Sequence, residues 1–314
     1  MDIFSAEYLD EVQSAGDAEL WEGAKSYSGL AKANVFYELG RRAYFEDDNR
    51  SAVDLTSVAI DEYLALGDRC PWSDLIDAYT VYGVNNSALG NFTEAVESIR
   101  KSVELIRIHR KDDLRDNLHL YGLFLGFAER YEEAIEPFVE VIELSQLEDS
   151  DSKLISALKN VGESYLKLGR LDEADSYIAR AIEEAKKNKD SEELAGSLES
   201  YGKLCKERLE FSKAIDYFLK AYYLNETLGN ETEAALNQFE MGECWFNLAR
   251  FDKSVELHTK SLRMLREFAP KDLSLIMRVE EGLIKALGVG SWRSRRRAKR
   301  MEERLDAVKK IFED

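Results

Sequence analysis

Residues 158–185 read LKNVGESYLKLGRLDEADSYIARAIEEA. The hydrophobic spacing is helical, yet Gly162 stands in the helix interior, where glycine costs roughly 1 kcal/mol relative to alanine. The same glycine recurs. Gly122, Gly162, Gly202, Gly242 and Gly282 follow one another at steps of 40 residues, and Gly83 and Gly40 extend the series backward with steps of 39 and 43. A fixed period of this size is the mark of a repeat architecture, and a glycine held at one phase of it marks a place where something packs very close.

Setting each glycine at position 8 puts repeat starts at residues 33, 76, 115, 155, 195, 235 and 275. Position 20 then carries Ala95, Ala134, Ala174 and Ala214, and position 24 carries Ile99, Phe138, Phe218 and His258. Small residues at positions 8 and 20 facing each other across two antiparallel helices let those helices approach closely. Only 3 prolines interrupt the chain. No run of alternating apolar and polar residues competes with the helical pattern.

The glycine, bulky residue, alanine and aromatic at these phases resemble the tetratricopeptide repeat, most closely from Ile76 to about Leu265. The resemblance implies an all-α fold, a right-handed α-α superhelical solenoid of about six to seven helix hairpins with terminal capping helices. It divides the chain into capping helices over 1–32, an array over 33–274 and a partial seventh repeat with a basic amphipathic helix over 275–314. The family's usual proline near position 32 is absent, and the sixth repeat has Ser254 and Ser261 at its two alanine positions. Repeats of about 40 residues, against the family's 34, predict longer second helices. Repeats lengthened in this way are similar to those of bacterial peptide-responsive regulators and of eukaryotic light-chain and polarity adaptors.

The linkers LEDSDSK, NKDSEE and GNETEA supply helix caps, with Asp190 to Glu193 and Asn230 to Glu233 at capping-box spacing. Before the array, Phe4, Tyr8 and Val12, then Trp21, Ala24 and Tyr27, recur at helical spacing and predict an amino-terminal capping pair. Met301, Leu305, Val308 and Phe312 form one apolar stripe on the last helix.

The search for chemistry is short. His109, His119 and His258 fall in different repeats without a ligand or base motif, and His258 at position 24 reads as a packing residue. There is neither a phosphate loop nor a dinucleotide fingerprint, so no enzyme and no cofactor is expected. Cys70, Cys205 and Cys244 are an odd number without CxxC spacing and read as reduced thiols. The amino terminus shows neither a signal peptide nor a membrane span, which makes a cytoplasmic chain the default.

Formal net charge is −18. Residues 291–314 hold nine Lys/Arg against five Asp/Glu, a net of +4 that leaves −22 on residues 1–290. Acidity on that scale argues against nucleic acid as a partner of the whole chain. The cluster Arg293, Arg295, Arg296, Arg297, Lys299 and Arg300 reads as a secondary basic patch for nuclear import, nucleic acid or an acidic partner, its plainer and favoured reading being a solvated helix face paired with Glu302, Glu303 and the acidic array. The partner expected is a protein or peptide, with no membrane, and the chain a monomer or a homodimer.

Family resemblance further implies that positions 2, 5, 9, 12 and 13 of each first helix line a concave face. Over six repeats these positions hold five Lys/Arg and six Asp/Glu. The face is therefore not an electrostatic trap, and the charged pairs of repeats four and five, such as Glu199 with Lys203, read as i,i+4 solubility pairs. A two-carboxylate clamp for a chaperone tail is disfavoured, because Lys159 is followed by Glu163 and no repeat has arginine at position 6. The expected peptide-binding residues are Tyr37, Arg41, Tyr44, Phe45, Val84, His119, Leu123 and Phe127. Asn85 and Asn86 join them as amides able to bond a peptide backbone. The alternative to a passive adaptor is a regulator whose curvature changes on peptide binding.

Overall fold

The computed structural model describes residues 16–109, 114–145 and 152–313. Among them are fifteen α-helices, one short 3-10 turn at Gly67–Arg69 and no strand. No described helix is long and apolar enough to cross a membrane. The chain divides into two compact units, residues 1–147 and 148–314, each a row of antiparallel helix hairpins.

Unit 1 begins with α1 (Asp17–Ser26) and continues through the hairpins α2 (Leu30–Phe45) with α3 (Asn49–Ala65), α4 (Trp72–Ala88) with α5 (Phe92–His109), and α6 (Leu114–Phe127) with α7 (Tyr131–Ser145). Its first helices adjoin in the order α2, α4, α6. Unit 2 comprises α8 (Ser152–Lys167) with α9 (Leu171–Asn188), α10 (Ser191–Glu207) with α11 (Phe211–Leu228), α12 (Glu231–Asn247) with α13 (Phe251–Phe268), and α14 (Leu273–Gly288) with α15 (Trp292–Glu313). Here α8 touches α10, and α12 touches α14.

The glycines answer the question the sequence raises. A methyl added at Gly162 would strike Ile178 Cγ1 and lie 3.2 Å from Ile178 N and 3.3 Å from the Ala174 carbonyl oxygen. At Gly122 and Gly202 the obstacle is the ring of Phe138 or Phe218, 2.7 Å away. Both rings are almost wholly buried, and each contributes roughly 1.5–3 kcal/mol through that burial. His258 fills the same slot in the sixth repeat, wholly buried between Gly242 and Gly282 and 5.3 Å from the Phe239 ring.

Helix lengths correct one expectation. In the three hairpins whose helices are bounded on both sides by described residues, the second helix outruns the first by only one residue: 17 against 16, and 18 against 17 twice. The lengthening is therefore not carried by second helices alone.

Every turn inside the six hairpins before the last has the same construction. One residue adopts a left-handed backbone: Asp47, Gly90, Glu129, Gly169, Leu209 or Ala249, with φ between 57° and 80°. That conformation lets the next N–H reach back to a carbonyl five residues earlier, as from Arg170 to Tyr165 at 2.9 Å and from Glu210 to Cys205 at 2.8 Å. Glycine fits without cost, whereas Leu209 holds the same angle with a branched side chain that is 72% exposed.

The caps match in part. Asp190 accepts from the Glu193 N–H at 3.0 Å, but the Asn230 side chain makes no cap bond. Most of LEDSDSK, together with Phe4, Tyr8 and Val12, lies outside the described residues. In α1 the buried stripe is Leu20 and Ala24, while Trp21 and Tyr27 are nearly half exposed; Trp21 instead sets its ring edge against Phe36. At the other end Leu305 is buried and Met301 packs against the apolar core of α12–α15; the side chains of Val308 and Phe312 lie outside the described residues.

Candidate partner-binding surfaces

In unit 1 the expected residues fall into two aromatic clusters with aliphatic positions between them. On α2, Tyr44 and Phe45 are exposed (Phe45 by 68%), with ring centroids 5.3 Å apart. Arg41 lies over the Phe45 ring at 5.4 Å while its guanidinium grips Glu38 by two bonds of 2.9 and 3.0 Å. Arg42 donates to the same buried carboxylate at 2.8 Å, so two arginines fix Glu38 at this end of α2. On α6, Phe127 is 53% exposed and rests on Phe92, the first residue of α5, with centroids 5.9 Å apart. Val84 on α4 and Leu123 on α6 are half-buried.

Two further positions are more constrained. Burial, reinforced by Asp77, pushes the half-buried Tyr37 phenol up to about 12, so it remains a neutral hydrogen-bond donor. His119 is half-buried, edge-on to Phe138 at 5.6 Å.

Asn85 and Asn86 do not belong to this surface. Both are essentially inaccessible. The Asn86 amide donates to the Tyr82 carbonyl at 2.9 Å, and its oxygen accepts from Asn91 at 3.1 Å, tying the end of α4 to the turn before α5. Asn85 donates to the Val81 carbonyl at 2.7 Å, leaving its own oxygen buried and unbonded. Their amides serve the hairpin and cannot meet a peptide. A stretch of two polar residues in a helix suggests a ligand only if the helix turns them outward, and position 11 points into the hairpin.

Unit 2 contradicts the solubility reading of its charges. Lys203 does not pair with Glu199 four residues away; it donates to Glu163, forty residues away, at 3.3 Å, and Ser200 donates to the same carboxylate at 2.6 Å. Glu199 instead accepts from Asn225 at 3.0 Å and Asn237 at 2.7 Å. Lys206 and Arg278, from α10 and α14, both bind Glu240 of α12. Bonds at this span join successive repeats. The signal was present in the register: position 9 carries Glu163, Lys203 and Glu243, charges that alternate in sign from one repeat to the next.

Glu163, Lys203, Lys206, Glu240 and Arg278 line a trough of about 390 Å3. Within it, burial works against ionisation of Glu163, but the Lys203 ammonium and the Ser200 hydroxyl outweigh it and hold the carboxyl below the usual range. Glu199 goes the other way, raised by burial against the bonds from Asn237 and Asn225.

No described group of three or more His, Cys, Asp or Glu could hold a metal ion. All three cysteines are free and buried, and burial pushes the Cys205 and Cys244 thiols up to about 11 and about 12, away from reactivity. The basic patch on α15 is exposed at Arg293, Arg295, Arg296, Arg297, Lys299 and Arg300.

Comparison with known proteins agrees with this architecture. One tetratricopeptide repeat family model matches residues 153–227 and another matches residues 76–109. The chain carries tetratricopeptide repeats over those residues. Kinesin light chain-related protein 1 of Arabidopsis thaliana is 22% identical over 231 residues, 68% of this chain and 37% of its own length. The chain thus spans just over a third of the curated relatives it matches.

Among solved structures, a signal transduction ATPase with a tetratricopeptide repeat sensor from Pyrococcus horikoshii superposes with a TM-score of 0.64 at 17% identity, covering 94% of this chain and 46% of that one. The apo form of RapI gives a TM-score of 0.59 at 14% identity over 81% and 97% of the two chains. Likeness at these identities concerns the fold alone.

Proposed function

We propose that this protein is a non-catalytic adaptor whose unit 1 takes up an extended or helical segment of a partner protein. The anchors are Tyr44, Phe45 and Phe127, with Tyr37, Arg41, Val84, His119 and Leu123 supplying the ground between them. The observation that carries this reading is the exposure of Phe45 and Phe127 at the ends of first helices, 68% and 53%. Exposed aromatics of this size are what interfaces use as anchors.

Three anchors at roughly 2 kcal/mol each barely offset an association cost of about 4–15 kcal/mol. With Asn85 and Asn86 sealed, the remaining polar bonds fall to the Tyr37 hydroxyl, Arg41 and His119, and micromolar affinity is expected. The kinesin light chain-related matches support a partner that is a protein. Buried free thiols fit a reducing compartment, the cytoplasm.

One observation favours a regulatory variant of this reading. Ion pairs between successive repeats of unit 2 could be broken by a charged ligand, changing the spacing of the repeats. Small-angle scattering of the free and partner-bound protein separates the two, since a passive adaptor keeps its radius of gyration and a regulator does not.

The test of the function itself is quantitative capture of partners on the tagged protein and on a Phe45→Ala/Phe127→Ala variant. Loss of one specific partner with melting unchanged supports the reading, and retention of every partner overturns it.

A further inference from the structure

Second helices in unit 2 leave two grooves of one construction. The first, about 730 Å3, runs between α9 and α11 over α10; the second, about 630 Å3, runs between α13 and α15 over α14. Lining positions correspond at a spacing of 80 residues, two repeats: Ile182 with Leu262, Glu183 with Arg263, Lys186 with Arg266, Tyr217 with Arg297, and Leu224 with Arg304. The trough therefore follows from repeat geometry, but its charge does not. Glutamate, tyrosine and leucine of the first groove are replaced by three arginines in the second.

Arg266 is committed to Glu280. Arg263, Arg297 and Arg304 are exposed and have no carboxylate within ion-pairing distance among the described residues. They flank a floor where Leu262, Ile276, Leu283 and Leu305 are buried and Met277 and Met301 are half-buried. Thioether side chains suit such a floor, because they reshape around whatever lies on it. Arg297 and Arg304 stand seven residues apart, about 10 Å or two turns along one face of α15. Arg263 and Arg266, three apart, form the opposite wall on α13.

We infer that this groove binds an acidic amphipathic helix of a partner protein. The helix would lay an i, i+3, i+7 apolar stripe on the floor and present Asp and Glu from its flanks to the two arginine walls. Charge complementarity fixes the occupant: three arginines with no ion-pair partner among the described residues, around an apolar floor on a chain of net charge −18, select an anion with an apolar side. Nucleic acid would leave the floor unused and finds no aromatic residue in the lining on which to stack a base. A flat bilayer cannot reach a floor recessed between two helices. This surface is separate from the unit 1 site, and the inference stands without it.

The test uses fluorescence anisotropy on the full chain with a labelled Leu/Glu peptide in helical register. A Leu/Lys peptide of the same pattern, a scrambled Leu/Glu peptide, phosphatidylserine vesicles and single-stranded DNA serve as competitors. Expected are micromolar binding of the Leu/Glu helix, at least about 10-fold preference over both control peptides, and weakening by about 10-fold or more in Arg263→Glu/Arg304→Glu. Arg263→Lys/Arg304→Lys, which keeps the charge and loses the guanidinium fork, should weaken binding several-fold less than the Glu variant does. Should the Glu variant melt early, the Lys variant and the salt dependence of the parent protein carry the result. Equal binding of the scrambled or Leu/Lys peptide overturns the inference. So does indifference to the Arg→Glu changes, or displacement by vesicles or DNA better than by unlabelled Leu/Glu helix.

Discussion

Gly162→Ala is the sharpest test of the close helix approach. The new methyl would collide with Ile178 Cγ1, and the atoms behind it, Ile178 N at 3.2 Å and the Ala174 oxygen at 3.3 Å, are backbone that cannot step aside. Ile178 is wholly buried and β-branched, so it has no free rotamer to retreat into. Overpacking of this kind costs about 1–3 kcal/mol, and alanine returns roughly 1 kcal/mol of helix propensity. The net loss is about 0–2 kcal/mol, a melting shift of up to about 4–8 °C for a unit of this size.

Gly126 is the control, because an added methyl there meets no atom within 4 Å. Gly126→Ala should stabilise by about 0.5 kcal/mol, since it lies near the end of α6. Urea unfolding followed at 222 nm reads both. Pairing Gly162→Ala with Ile178→Ala adds a third reading: the new methyl partly refills the space vacated by the isoleucine, so the double change costs less than the sum by about 1 kcal/mol. If Gly162→Ala stabilises as Gly126→Ala does, the glycine period does not mark close approach and the reasoning fails.

Three other outcomes follow from the geometry. Leu209→Gly should raise the unfolding free energy by about 0.5–1 kcal/mol, read as a higher urea midpoint, because it relieves a left-handed leucine; an unchanged or lower midpoint would mean that the turn holds no strain. Lys203→Met removes a cation that keeps the Glu163 carboxyl below its usual range. Since a depressed carboxyl stabilises above its unfolded pKa and loses that effect as pH falls through its folded pKa, below about 4, the variant should lose about 1 kcal/mol at pH 7 after solvent screening and less as the pH is lowered towards about 3. An equal loss at both pH values would show that only packing had changed. Asn86→Ala should cost about 1–2 kcal/mol, measured by thermal melting, through the lost bonds to Tyr82 and Asn91, while partner capture is unaffected.

The repeat was legible because it is written in residue size. Gly162 opposite Ala174, and Phe138 or Phe218 against Gly122 or Gly202, are contacts between positions at fixed offsets, and a period exposes them. Leu209 was legible in principle, since it holds the turn place that Gly90 and Gly169 hold in other repeats. What stayed hidden needed directions in space. Asn86 sits on a first helix like the residues thought to face a ligand, yet its side chain turns into the hairpin. The charges of α8 and α10 were misread because a helix wheel shows the neighbour four residues away, whereas the partner of Lys203 stands forty residues back. The arginine walls of α13 and α15 were invisible as a pair, because Arg263 and Arg304 come from different hairpins and only one of them lies near the basic run of residues 293–300.

The adaptor reading is tested most directly by photo-crosslinking from single sites, with p-benzoylphenylalanine placed at Phe45, at Phe127 and, away from the first helices, at Tyr223, which is 58% exposed on α11. Crosslinks from residues 45 and 127 to the same partner segment, with none to that segment from residue 223, are the result expected. A partner that crosslinks from residue 223 while residues 45 and 127 stay silent would contradict the account.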